Sequence, residues 1–175
     1  MKFEIKTDLT EKDFTAYYEL HQKVHARYAY YFNKYGGIAA VILAIILTVL
    51  MIAFRMWENK GVLVPYCIFI ALLVLLPFVN RWVISRMYKA NRAMLRGEYR
   101  FDEKGVWTGA ENMSGVYTWN AFQELYHNGR AYYLYIDRAH AIVLPERSFT
   151  QGEPAAFGPF VAEKTGLEMK EIQCV

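Results

Sequence analysis

The chain has 175 residues, 55% of them hydrophobic, with 20 lysines and arginines against 17 acids and a net charge of +3. That length allows one ordinary domain, and the mean hydropathy of +0.06 averages very apolar stretches with polar flanks. Two cysteines, Cys67 and Cys174, exclude a disulfide framework, and the seven basic against eleven acidic residues from Gly97 onward argue against nucleic-acid binding.

Phe3, Ile5 and Thr7 alternate with Lys2, Glu4 and Lys6, which predicts a short strand at the start. Thr10-Glu11-Lys12-Asp13 then has the form of a helix N-cap with an acid three residues on. Phe14, Tyr17, His21, Val24, Tyr28, Tyr31 and Tyr35 follow at steps of three and four, one face of an amphipathic helix. No proline or glycine intervenes before Gly36, so one helix running toward the next segment is expected.

Gly36–Phe54 and Val62–Val79 contain no charged residue, and only residues 55–61 separate them. As helices each would span roughly 27–29 Å, close to the hydrocarbon thickness of a bilayer. In lipid the backbone must satisfy its own hydrogen bonds, so a transmembrane helical hairpin is expected. Tyr31, Tyr35, Trp57, Tyr66 and Trp82 stand where aromatic rings anchor a span at the membrane interface. Lys34, Arg81, Arg86, Lys89, Arg92 and Arg96 form a basic collar at the outer ends of the two runs, while the connecting loop has only Arg55 and Lys60. Positive charge near span ends stays on the cytoplasmic side, so both termini are expected in the cytoplasm, and a cleavable signal peptide is not expected. The collar also implies attraction to anionic lipid headgroups.

Val79, Trp82, Val83, Met87, Ala90 and Met94 continue a helical stripe past the second run, and packing of that stripe on the Phe14–Tyr35 face would make a stalk ending at Gly97. From Glu98 the period changes to short apolar strands between turns, with Asn128-Gly129 the strongest hairpin signal. Thr150-Gln151-Gly152-Glu153 reads as a second capping box, opening a helix that Gly158-Pro159 should interrupt and Gly166 should end. A last strand is possible within 167–175. The organisation read from sequence is a strand and amphipathic helix over 1–35, spans over 36–54 and 62–82, an extracytoplasmic loop over 55–61, a basic juxtamembrane helix over 83–96 and a β-domain over 97–175.

The order of parts resembles the YcxB-like family of small bacterial membrane proteins. The resemblance rests on Leu9-Thr10-Glu11-Lys12-Asp13-Phe14, the two close spans, Phe101-Asp102-Glu103-Lys104-Gly105-Val106, Trp119 and Leu144-Pro145-Glu146-Arg147-Ser148-Phe149. Asp13, Phe14, Trp119, Pro145, Arg147 and Phe149 carry it most directly, and Glu146 stands where members usually have lysine. The resemblance implies a cytoplasmic domain similar to small pleckstrin-homology-like (PH-like) barrels, and brings no activity or catalytic residues. The fold class expected is therefore α+β: a two-helix transmembrane hairpin with cytoplasmic helical extensions, a small antiparallel PH-like β-domain and a C-terminal helix.

No catalytic or cofactor signature stands out. His21 and His25 have the i, i+4 spacing of metal ligands but no third ligand on that face, so no metal is expected. Ser114 lacks a nucleophile-elbow context, and no glycine-rich phosphate loop occurs. Neither run carries an ionisable side chain of the kind that marks a transport path, Cys67 aside. Gly36, Gly37, Ala39, Ala40 and Ala44 offer a small-residue face for a homo-oligomer. The reading that follows is a non-enzymatic, multi-pass protein of the bacterial inner membrane that presents its β-domain to a protein partner. Immunity against a membrane-active toxin, and sensing of a lipid or small ligand on the Tyr132–Ile136 face or the aromatic stalk, are the alternatives.

Overall fold

The computed structural model describes residues 1–55, 59–92, 95–110 and 113–172. Trp57 and Cys174 lie outside them. The described residues form an α+β protein with four helices and two sheets, divided into two units: Met1–His21 with Tyr88–Val175, and Gln22–Met87.

In the first unit, β1 (Phe3–Asp8) is not an appendage of the N-terminal helix but an interior strand. It pairs antiparallel with β2 (Arg96–Asp102) on one side and β8 (Phe149–Gln151) on the other. With β3 (Gly105–Ala110) and β4 (Met113–Tyr117) these strands make a sheet of order β4-β3-β2-β1-β8. The second sheet has the order β7-β6-β5-β9, from β5 (Glu124–His127), β6 (Ala131–Tyr135), β7 (Ala141–Pro145) and β9 (Met169–Glu171). Asn128-Gly129 joins β5 to β6 as the sequence predicts, and Gly129 takes a φ of +76° that its missing Cβ permits. One pair departs from an all-antiparallel arrangement: β9 runs parallel to β5. That geometry follows from α4 (Pro154–Thr165), which crosses from the first sheet to the second before β9 begins.

The two sheets and α4 share one core. Phe3, Ile5, Phe101 and Val106 come from the first sheet, Leu125, Tyr132, Leu134, Ile142 and Leu144 from the second, and Phe157, Phe160 and Val161 from α4. Phe157 is the common member: its ring lies 4.9–5.3 Å from those of Phe101, Tyr132, Phe149 and Phe3, edge-on to each. Pro159 does not interrupt α4, which runs through it. The helix gives up one backbone hydrogen bond there, while the buried Phe157 before it and Phe160 and Val161 after it hold the helix on the core on both sides of the proline. Thr150 is not the cap of this helix; its hydroxyl donates to the Glu4 carbonyl at 2.9 Å within the sheet.

α1 (Glu11–His25) is separated from α2 (Arg27–Ala53) by Ala26, whose φ of −135° and ψ of 56° break the single helix expected from sequence. The Phe14–His21 face of α1 has its cover within the first unit. It covers the outside of the second sheet, with Tyr17 stacked on Tyr133 and His21 on Tyr135. Tyr88, the first residue of α3 in this unit, donates to the Leu9 carbonyl at 3.1 Å and lies 6.0 Å from Phe14. α3 (Lys60–Ala90) ends six residues short of Arg96, and Gly97 belongs to β2 instead of terminating the helix.

In the second unit α2 and the body of α3 are long and apolar enough to cross a membrane, and almost nothing of either is buried by the rest of the chain. The less exposed positions of α2 (Gly36, Ala40, Ala44, Thr48, Met51) recur about every four residues, as do Val62, Tyr66, Phe69, Ile70 and Leu73 of α3. Thr48 Oγ1 and the Tyr66 hydroxyl form a hydrogen bond where these seams meet. Of the small residues, Gly36, Ala40 and Ala44 lie on the less exposed side of α2, and Gly37 and Ala39 are exposed.

Candidate functional site

The residues that carry the sequence motifs converge on structure, not on a reactive cleft. Asp13 closes the first turn of α1: its carboxylate accepts from the Thr10 N–H at 2.7 Å and from the Thr10 hydroxyl at 2.6 Å, while Thr10 Oγ1 receives the Asp13 N–H at 3.4 Å. Arg147, from the short 3-10 turn after β7, grips the same carboxylate with two nitrogens, one at 2.9 Å and the other closer. Partial burial pushes the Asp13 carboxyl up, but hydrogen bonds from Arg147 and Thr10 and the guanidinium charge outweigh it and hold the group below the usual carboxylate value.

The remaining motif residues are packing residues. Phe14, Trp119 and Pro145 are buried, and Phe149 packs against the core through Phe3, Tyr132 and Phe157. Trp119 opens a 3-10 turn and sits against Phe101, Phe122 and Phe160. Its ring N–H meets no acceptor among the described residues, so its contribution is shape and apolar area.

Glu146 has a local use. His127 places Nε2 3.0 Å from Glu146 and Nδ1 3.0 Å from Glu171, and its ring stacks on Tyr132 at 4.3 Å. Both contacts are hydrogen bonds at once only when the ring carries two protons. The Ile172 N–H also donates to the His127 carbonyl at 2.8 Å, so this residue pins β9 to the sheet. No local pattern signals this node, because its members lie on β5, the turn after β7 and β9.

Neither face of β6 is open. Every residue from Ala131 to Tyr135 is buried, with Tyr132 and Leu134 in the core and Tyr133 and Tyr135 under α1. Burial, and then the neighbouring Tyr17, raise the Tyr135 hydroxyl above its ordinary pKa. No group of three or more His, Cys, Asp or Glu side chains among the described residues is arranged to hold a metal.

Exposed surface of a different kind lies at the β4 end of the first sheet. Across β1, β2, β3 and β4 the register sets Glu4, Arg100, Trp107 and Val116 in one row. Arg100 lies over the Trp107 ring at 5.2 Å and 3.5 Å from Glu4. The Trp107 ring spreads flat above Gly109, where a Cβ would come within 2.4 Å of it. Trp107 is 38% and Val116 69% exposed. β4 is an edge strand, and Met113-Ser114-Gly115-Val116-Tyr117 has neither a charge nor a proline to block strand addition.

In the second unit Tyr31 and Tyr35 stack on each other, and the Lys34 ammonium lies over the Tyr30 and Tyr35 rings at 5.6 and 5.7 Å. Tyr66 turns its hydroxyl to Thr48. Trp82 is exposed, with the Arg86 guanidinium 5.2 Å above its ring. Of the basic collar, Arg96 is held by Asp8 at 3.0 Å.

Residues 101–158 match the family model described as YcxB-like protein. The matched segment takes in Trp119, Pro145, Arg147 and Phe149 and leaves out Asp13 and Phe14, and over it the likeness read from the motifs stands. No curated protein matches the chain.

Proposed function

We propose that this chain, YcxB-like over residues 101–158, is a non-enzymatic protein of the bacterial inner membrane that holds a PH-like domain at the cytoplasmic surface to bind another protein. The observation that carries the reading is the uncovered apolar surface of α2 and α3. Ile38 is 61% and Leu72 57% exposed, and the other large aliphatic side chains of these helices resemble them. A buried core helix would be covered by its own chain; these are not, and hydrocarbon is the solvent that suits them. The excess of positive charge at the outer ends of the hairpin supports a cytoplasmic location for both termini. Two sheets around one core with a helix after the last hairpin support the PH-like description.

The surface offered to the partner is the β4 edge with Trp107 and Val116 beside it. An extended segment of the partner adds to β4 through its backbone and sets apolar side chains beside Val116. Tryptophan and arginine in one exposed row have the composition of an interface anchor.

Flotation of the expressed chain with membranes, before and after carbonate at high pH, tests the location; release into the soluble fraction would overturn it. Capture from detergent-solubilised cells tests the partner. A heterologous protein retained by the wild type and lost from Val116→Lys, with the thermal transition unchanged, is the expected result. Recovery of only the chain itself, across several growth states, would sink the partner reading.

A further inference from the structure

The cytoplasmic end of α3 in the proposed arrangement combines three features. From Lys60 to Ala90 the helix has no acidic residue. Trp82 is 59% exposed, and the Arg86 guanidinium stacks over its ring at 5.2 Å. No ion pair engages Arg81 or Arg86 among the described residues, so two full positive charges flank this tryptophan without compensation. At about 100° per residue, Arg81, Trp82 and Arg86 occupy an arc of about 140° on one side of the helix.

Depth decides what they meet. The apolar run ends at Val79, and at about 1.5 Å per residue Arg81, Trp82 and Arg86 stand about 3, 4.5 and 10 Å beyond it. The headgroup region of one leaflet is roughly 5–8 Å thick, and arginine side chains reach several ångströms along the surface they border. All three groups therefore fall in the phosphate layer. The tryptophan suits its apolar side and the guanidinium forks suit phosphate oxygens.

We infer that Arg81, Trp82 and Arg86 form a seat for the headgroup of an anionic phospholipid in the cytoplasmic leaflet. The seat rests on the membrane reading proposed above and adds a selectivity to it. A zwitterionic headgroup brings its own ammonium into the same space and gains less from two unpaired arginines. The stack on Trp82 fixes Arg86 in one orientation, so the site is more than diffuse attraction to a charged surface.

The test uses the full chain with vesicles of mixed phosphatidylglycerol and phosphatidylcholine, then native mass spectrometry of the protein released from nanodiscs of the same mixture. Arg81→Gln with Arg86→Gln is compared with the wild type and with Arg138→Gln, an exposed arginine outside the helix. The wild type and the Arg138 variant are expected to retain phosphatidylglycerol well above its bulk share, and the double variant to lose about fivefold of that preference for each arginine removed. Wild type and double variant with the same ratio, both floating with vesicles, would overturn the seat alone. Failure of the wild type to float would overturn the membrane reading, and the seat with it.

Discussion

Arg147 and Asp13 lie 134 positions apart and meet as a two-point ion pair, in which Asp13 also closes the first turn of α1. One carboxylate thus joins two structural tasks: it starts the helix that covers β6, and it ties that helix to the turn after β7. The motif outside the family match and the motif inside it are two halves of one contact.

Removing either half should therefore cost stability, Asp13 more than Arg147. Arg147→Ala leaves Asp13 with its Thr10 partners, and Asp13→Ala removes both the cap and the pair. With the arginine half exposed, screening limits the pair, and a loss of about 1 kcal/mol is expected for Arg147→Ala and about 2 kcal/mol for Asp13→Ala. A double-mutant cycle by thermal unfolding should show coupling between the two; additive losses would refute the shared role.

The same contact predicts an acid dependence. The folded Asp13 carboxyl is held below the unfolded value of 3.8. Its contribution is fully present above that value and is lost as the pH falls through the lower folded one. The gap in Tm between wild type and Asp13→Asn should be constant near neutrality and close on acidification below 3.8. A gap that widens in acid would show that Asp13 acts in some other way.

What the sequence made legible depended on local signals. The capping box at Thr10–Asp13, the Asn128-Gly129 turn and the two charge-free runs are each written in adjacent residues, and each appears in the fold. β1 inside the sheet, β9 parallel to β5 and the His127 node depend on partners far along the chain, which no local pattern encodes. Of the Phe14–Tyr35 stripe, the first half lies against Tyr133 and Tyr135, which satisfy it as well as another helix would, while Tyr28, Tyr31 and Tyr35 are exposed on α2. Pro159 misled because local propensity is outweighed by the burial of Phe157 and Phe160 around it.

Trp119 separates shape from hydrogen bonding. Because its ring N–H has no acceptor among the described residues, Trp119→Phe loses area alone and should cost about 1–2 kcal/mol. Trp119→Ala opens a cavity beside Phe101, Phe122 and Phe160 and should cost about 3–5 kcal/mol. Chemical denaturation of the full chain in detergent would measure both. Equal losses would mean that the N–H, not the ring volume, carries the residue.

Gly152 connects β8 to α4 with a φ of +92°, and a Cβ there would meet the Phe3 ring at 2.3 Å. Gly152→Ala combines the backbone penalty with a clash against a buried ring, so a loss of about 2–3 kcal/mol is expected. At Gly129, where φ is +76° but nothing lies within 4 Å, alanine should cost only the backbone part, about 1 kcal/mol. Comparable Tm shifts for the two variants would contradict the packing part of the account.

His127 tests how β9 is held. The strand is three residues long, too short to dock on backbone hydrogen bonds alone. Its side-chain fastenings include His127 between Glu146 and Glu171, beside Lys170 over the Tyr126 ring and Met169 on the core. His127→Ala should therefore loosen this strand before the rest of the sheet. Amide exchange over residues 169–172 is expected to quicken about tenfold, the equivalent of about 1.4 kcal/mol of local opening. Exchange in β1 and β2, which belong to the other sheet, should stay at the wild-type rate. If all the strands quicken together, His127 supports the whole domain rather than fastening β9, and Glu171→Gln should then have no local effect of its own.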